Sequence, residues 1–260
     1  MSRSKKFREE IDLLEILEEN KERDLRNKKK EIKEILKHDI KVIAKNESQK
    51  KLISSIKNNQ ITICAGPAGT GKTFVSVAYA LSLLRKLENS FKKIYLVKSV
   101  TTLKGEEIGF LRGDINDKFT PFLWSYLINM EKIIQQGVIN SLFTQEHIKA
   151  YPLAYMRGAS LDDCIILVDE AQNISLDNSR TLLTRIGSNS KIIMLGDTNQ
   201  IDLKNKKDSS LKILMEILND VNDIGIIDMS DEDTENVRNP IIKTIENKFK
   251  DYLKNKNEKK

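Results

Sequence analysis

The sequence predicts an α/β fold, a mostly parallel sheet with helices on both faces, preceded by a charged helical extension. Three observations predict it. From residue 47 onward, short apolar runs alternate with helical patterns, as in a parallel sheet joined by crossover helices. One run, Ile61-Thr62-Ile63-Cys64-Ala65, leads directly into Gly66-Pro67-Ala68-Gly69-Thr70-Gly71-Lys72-Thr73. Another, Cys164-Ile165-Ile166-Leu167-Val168, ends in Asp169-Glu170.

The elements follow in order. Residues 5–45 contain no Gly or Pro and are rich in Glu, Lys and Arg. Ile11, Leu14 and Leu17, then Leu25, Ile32, Ile35 and Leu36, recur at spacings of one interrupted helical face. One or two amphipathic helices are expected over 1–46. They would either pack a stripe on the core or serve as an oligomerisation or nucleic-acid arm. A domain over 47–252 follows, with strands at 61–65, 94–97, 164–168, 192–195 and 224–227. Helices are expected at 47–57, 72–87, 118–135, 178–186, 209–218 and 240–252. Residues 101–160 insert extra helix and loop between two strands, and 253–260 read as a basic, frayed tail. Right-handed crossovers would gather the carboxyl ends of the strands on one edge, where ligands bind.

Composition bounds the function. The chain has 260 residues, 39% hydrophobic and 32% charged. No apolar run nears the ~20 residues of a membrane span, so no membrane partner is expected. The opening Met-Ser-Arg-Ser-Lys-Lys lacks an apolar h-region, and a cytoplasmic location is expected. Cys64 and Cys164 sit in apolar runs and read as core residues in a reducing compartment. Two histidines, His38 and His147, are too few for a histidine-based metal site. The net charge of +6 lies at the ends: residues 1–46 carry +3, 248–260 carry +4, and the stretch between them carries −1. Any nucleic-acid groove on the core would need local clustering of charge.

The glycine-rich loop names a ligand. G-x-x-x-x-G-K-T between a buried strand and a helix cradles the phosphates of a nucleoside triphosphate on backbone N–H groups and the helix N-terminus. Gly66, Pro67, Ala68, Gly69, Thr70, Gly71, Lys72, Thr73 and the following Phe74 are the expected nucleotide-binding residues. Lys72 would reach the β- and γ-phosphates. The Thr73 hydroxyl would ligate Mg²⁺, a cation that prefers hard oxygen donors. Asp169 would hold the opposite side of the Mg²⁺ shell. Glu170 would orient and polarise the water that attacks the γ-phosphate. In Ile192-Ile193-Met194-Leu195-Gly196-Asp197-Thr198-Asn199-Gln200-Ile201-Asp202 a further strand ends on the same edge, and Gln200 would sense the γ-phosphate or the water.

These three stretches together resemble motifs I, II and III of superfamily 1 helicase-type ATPases. More closely, the chain resembles the PhoH-like family over about residues 47–250. Further resemblance lies in Pro152-Leu153-Ala154-Tyr155-Met156-Arg157-Gly158, Leu183-Thr184-Arg185-Ile186-Gly187, Val237-Arg238-Asn239-Pro240 and Glu106-Glu107-Ile108-Gly109-Phe110-Leu111-Arg112-Gly113-Asp114. The resemblance implies a RecA-like P-loop NTPase fold and ATP hydrolysis, with links to RNA metabolism. The chain departs from the family at Val97-Lys98-Ser99-Val100-Thr101, where many relatives have Thr-Arg-Pro. That segment matches the helicase motif that touches the nucleic-acid backbone, and Lys98 would supply the charge there.

The resemblance also places Gln49 where helicase-type ATPases read the adenine edge; its other reading is an exposed helix residue. Arg157, Arg185 and Arg238 are the candidates for an arginine finger, and each also reads as a surface salt-bridge residue. Helicases of this superfamily take the finger from a second RecA-like domain. Its absence here implies a finger from a neighbouring subunit, in a homo-oligomeric ring that the resemblance makes a hexamer. Arg238 resembles the motif VI arginine and would instead act within its own subunit. The Pro121-Phe122-Leu123-Trp124 stretch reads as a core helix contact or as a stacking platform for bases. Three uses of hydrolysis compete: remodelling of single-stranded RNA or DNA, a protein-remodelling or regulatory ring, and a small-molecule kinase. The kinase is disfavoured because it needs a second substrate pocket.

Overall fold

A computed structural model describes residues 3–98, 115–150, 160–203 and 205–230, with single positions 153, 241, 244, 245 and 247–249. Its strands are β1 (Ile61–Ala65), β2 (Lys93–Lys98), β3 (Ile148–Ala150), β4 (Cys164–Asp169), β5 (Lys191–Gly196) and β6 (Ile224–Asp228). Its helices are α1 (Arg3–Ile35), α2 (Glu47–Asn58), α3 (Lys72–Arg85), α4 (Ile115–Glu131), α5 (Gln136–Thr144), α6 (Leu176–Leu183) and α7 (Ser210–Ile217). The strands form one sheet in the order β3-β2-β4-β5-β1-β6, and every pairing is parallel. This is the expected parallel α/β sheet, and the glycine-rich loop leaves β1, which lies between β5 and the edge strand β6.

The central strands are apolar throughout because both faces are covered. Alternate residues point to opposite sides. Cys64, Ile94, Leu96, Ile165, Leu167, Ile193 and Leu195 join a core with α1 to α5. Ile61, Ile63, Val97, Ile166, Val168, Ile192 and Met194 join a second core with α6 and α7. Local signals fix the helix starts. Asn46 caps α2, its side chain accepting from the Gln49 N–H at 2.9 Å. Ser175 caps α6 in the same way, so that helix starts two residues before the expected 178.

The five expected strands stand within a residue or two of their predicted positions. Two elements were not expected. Three-residue β3, Ile-Lys-Ala, is too short for a periodicity, and α5 carries Gly137 in its first turn. The expected helix over 118–135 ends instead at Glu131. The helix expected at 240–252 and the segments 101–114, 154–159 and 231–240 lie outside the described residues, apart from a few positions after 240.

The long α1 is one helix whose end docks. Residues 15–24 are exposed, whereas Ile32 and Leu36 are fully buried in the first core. Lys29 is also buried, and its ammonium donates to the Leu84 and Lys86 carbonyls at 2.9 Å and to Asn89 Oδ1 at 2.7 Å. These carbonyls end α3, the helix that starts at the glycine-rich loop, so a cation sits at the negative end of its dipole. Among the described residues no helix is long and apolar enough to cross a membrane.

Candidate nucleotide-binding site

Strands β1, β4 and β5 are neighbours and end at the same edge, which brings the three motif loops together. Gly69 and Gly71 adopt φ of 84° and 85°, the left-handed region that a side chain disfavours. Gly66 packs on Met229, where a Cβ would lie 2.7 Å from the Met229 Cβ. Those glycines let the loop turn tightly and aim its N–H groups at a cavity of about 570 Å³. Lys72, Thr73, Phe74, Asp169, Glu170, Gln200 and Gln49 all line it, as do Ala68, Gly69 and Gly71.

The lysine closes the loop on itself. Lys72 Nζ donates to the carbonyls of Gly66 at 2.6 Å and Pro67 at 2.8 Å, and lies 3.4 Å from Thr70 Oγ1. Burial lowers its pKa from the ordinary lysine value, while nearby carboxylates oppose that shift. A phosphate group would take over those donors and satisfy the charge better than carbonyl dipoles do.

Two oxygens from different strand ends stand side by side. Thr73 Oγ1 lies 3.4 Å from Asp169 Oδ1, which also accepts the Glu170 N–H at 3.1 Å. Asp169 is 7% exposed. Burial and then the Glu170 charge push its pKa up, with Lys98 and the Ser125 hydroxyl pulling it back. A buried carboxylate beside a hydroxyl is a fitting place for Mg²⁺, which is held by few protein oxygens and completed by phosphates. Among the described residues no group of three or more His, Cys, Asp or Glu could hold a metal by itself.

Glu170 has φ 56°, in the left-handed region; there its N–H reaches Asp169 Oδ1 and its carbonyl accepts the Asn173 N–H at 2.9 Å. Its carboxylate accepts from Gln172 Nε2 at 2.6 Å. That amide nitrogen also reaches the Gln200 carbonyl at 3.0 Å, and Gln172 Oε1 accepts the Asp197 N–H at 3.0 Å. Gln172 is fully buried and ties the Asp169-Glu170 loop to the loop after β5. Gln200 Nε2 in turn donates to Asp197 Oδ2 at 3.0 Å. A Cβ on Gly196 would lie 2.6 Å from Gln172 Oε1, so glycine there admits the tie.

Gln49 is 2% exposed, not the surface residue of the alternative reading. Its Nε2 donates to the Thr70 carbonyl at 2.9 Å and its Oε1 accepts the Lys45 N–H at 2.8 Å. It braces the glycine-rich loop as well as bordering the cavity. Of the arginines, Arg157 and Arg238 lie outside the described residues. Arg185 follows α6, which runs back from the motif edge, so it sits where the strands begin; its backbone carbonyl accepts from Leu161 there. The structure does not bring Arg185 to the cavity of its own chain.

Lys98 is half-buried. It ends β2 in register with Asp169, and its ammonium lies 3.5 Å from Ser125 Oγ on α4. In the Pro121-Phe122-Leu123-Trp124 stretch, Leu123 is buried with neighbouring Tyr126 in the core, and Trp124 is 60% exposed. Ser125, Gln172 and Asp197 were not singled out from sequence. Asp197 lies inside the quoted third stretch, directly after Gly196, and Gln172 lies two residues past Glu170. A polar residue just beyond a buried strand is the available signal for both. Ser125 sits in a helical stretch with no such mark.

The comparisons with known proteins cover the stretch that holds all three loops. The family model described as PhoH-like protein matches residues 41–250. A PhoH-like protein of Synechocystis sp. is 37% identical over 78% of this chain and 61% of its own length. One from Bacillus subtilis is 35% identical over 77% and 61%, and Protein PhoH of Escherichia coli is 30% identical over 74% and 54%. The chain thus spans about three fifths or less of the curated relatives it matches. Looser overlays on solved structures include the large terminase of a thermophilic bacteriophage in complex with ADP, at TM-score 0.39 and 10% identity over 70% of this chain and 44% of that one. Another is the Sulfolobus solfataricus SWI2/SNF2 ATPase core in complex with dsDNA, at 0.42 and 13% identity over 75% and 46%. Overlays this loose assign nothing to the chain. With its glycine-rich loop, acidic strand end and third loop inside the matched span, the chain belongs to the PhoH-like protein family.

Proposed function

We propose that the cavity binds ATP with Mg²⁺ and hydrolyses it. The observation that supports this most is the meeting of Lys72, Thr73, Asp169, Glu170 and Gln200 around one cavity from three separate strand ends. Lys72 leaves the Gly66 and Pro67 carbonyls for the β- and γ-phosphates. Thr73 and Asp169 are the protein ligands of Mg²⁺, which neutralises charge on the phosphates. Glu170 orients the attacking water and takes up its proton as the bond from the γ-phosphorus to the bridging oxygen breaks. Gln172 keeps Glu170 and the Gln200 loop in step. Gln49 and Phe74 border the end of the cavity that would take the base.

The hydrolysis drives work on single-stranded RNA or DNA, by a homo-oligomeric ring in which a neighbour supplies the arginine; Arg157, Arg185 and Arg238 remain its candidates. The 47–252 domain carries this motor, with 1–46 as its extension and 253–260 as a tail. Motif order supports the nucleic-acid reading, and the exposed Trp124 indole near the cavity offers a face for stacking. The test is phosphate release from Mg–ATP with and without poly(U) RNA and single-stranded DNA, at low and moderate salt. Stimulation that weakens with salt is expected. Hydrolysis with no stimulation and no salt-sensitive binding would leave a protein-remodelling or regulatory ring. No hydrolysis under any condition would sink the ATPase reading.

A further inference from the structure

We infer that Ser125 and Lys98 form a positioning pair behind Asp169 that sets how much Mg²⁺ the site needs to hold nucleotide. The inference deepens the proposed function and rests on its nucleotide and metal. Ser125 Oγ donates to Asp169 Oδ2 at 3.0 Å. That bond fixes the carboxylate so that its other oxygen, Oδ1, faces Thr73 Oγ1 at 3.4 Å. A serine hydroxyl has one proton, and an ammonium can only donate. Lys98 Nζ, 3.5 Å from Ser125 Oγ, therefore directs that proton toward Asp169.

The packing makes the pair rigid. The next residue along α4, Tyr126, is fully buried. Its hydroxyl lies 2.9 Å from the Val97 carbonyl and 3.0 Å from the Leu167 carbonyl, donating to one at a time. Tyr126 thus pins α4 across the ends of β2 and β4, one residue before Lys98 and two before Asp169. Ser125 borders the cavity, and Lys98 stands behind it.

The two side chains act with opposite sign. Removing the Ser125 hydroxyl frees the Asp169 carboxylate to rotate, which weakens the metal edge. Removing the Lys98 charge removes a resident cation that repels an arriving one. Outer partners of this kind commonly shift metal affinity by about tenfold or more.

ADP affinity measured across a Mg²⁺ series at pH 8 tests the pair. Calorimetry reads it, and so does the fluorescence of Trp124, the chain's single tryptophan, adjacent to Ser125. Ser125→Ala should raise the Mg²⁺ midpoint by about tenfold, and Ser125→Thr should restore it by returning a hydroxyl. Lys98→Met should lower the midpoint by roughly threefold or more. ADP affinity in EDTA should stay within about twofold in every variant. An unchanged midpoint in either variant overturns the role of that residue. Loss of ADP affinity in EDTA equal to the loss with Mg²⁺ overturns the pair. A wild-type chain that bound no ADP at any Mg²⁺ concentration would instead fail the nucleotide reading on which the pair rests.

Discussion

The two edges of the sheet use the same residue types to different ends. Where strands begin, Asp162 Oδ1 accepts the Ser188 N–H at 2.7 Å, and Ser190 Oγ donates to the Leu161 carbonyl at 2.7 Å while accepting from Cys164 N–H. Where strands end, Asp169, Glu170, Asp197 and Gln200 also bond to their neighbours, yet all four border an open cavity. The backbones differ likewise. Glu146, Asp163, Asn189 and Asp223 hold positive φ at the entry edge, three of them short polar residues of the kind turns favour. At the exit edge the non-glycine residue with positive φ is Glu170, whose side chain is placed by it. A polar strand end marks a site when its groups face space, and serves as turn chemistry when they face one another.

Substitutions on the two edges should therefore fail differently. The largest effect falls on Lys72→Ala, which removes the charge at the centre of the exit edge. ATP turnover should drop by at least about 100-fold, read as phosphate release; unchanged turnover would remove the glycine-rich loop from the chemistry. Gln172→Ala leaves the Asp197 N–H and the Glu170 carboxylate without their partner. It should slow turnover by about tenfold or more and cost about 1–3 kcal/mol of stability. A variant with normal turnover would show that the two exit loops work independently.

The matching change at the entry edge is Gly187→Ala. A Cβ there would lie 2.0 Å from Asp162 Oδ1, displacing the carboxylate that holds the Ser188 N–H. Denaturant unfolding should show a loss of about 1 kcal/mol, with turnover per folded molecule preserved. A loss of turnover at full folding would break the contrast between the edges.

The smallest effect is a pH slope. Burial pushes the Cys64 thiol up to about 12 from 9.0. The folded state thus keeps a proton that the unfolded chain releases. Its stability contribution is full below pH 9 and is lost as pH rises toward 12. Cys64→Val should flatten the alkaline decline in stability relative to wild type. An identical decline in both would show that the thiol does not carry it.

Much of this was legible in the sequence because the signals are local. Five strands announce themselves as apolar runs, and the Gly66–Thr73 stretch, Asp169 and Gln200 follow those runs directly. Ile32, on α1, and Leu36, just past its end, are the buried residues by which the extension docks. What escaped depends on packing between distant segments. Ser125 reaches Asp169 only because Tyr126 holds α4 on the sheet. Lys98 comes beside Asp169 because β2 runs beside β4 in register, a pairing that composition does not encode. Gln49 was named from the sequence, but not its bracing bond to the Thr70 carbonyl, 21 residues away. Arg185 follows a helix whose direction carries it away from the cavity.

The central claim is that Glu170 directs water at a nucleotide held by Lys72, Thr73 and Asp169. Glu170→Gln, mixed with Mg²⁺ and ATP and then separated from free nucleotide, tests it most directly. The expected result is intact ATP bound at close to wild-type affinity, with phosphate release slowed by at least about 100-fold. Phosphate release at the wild-type rate from Glu170→Gln would contradict it.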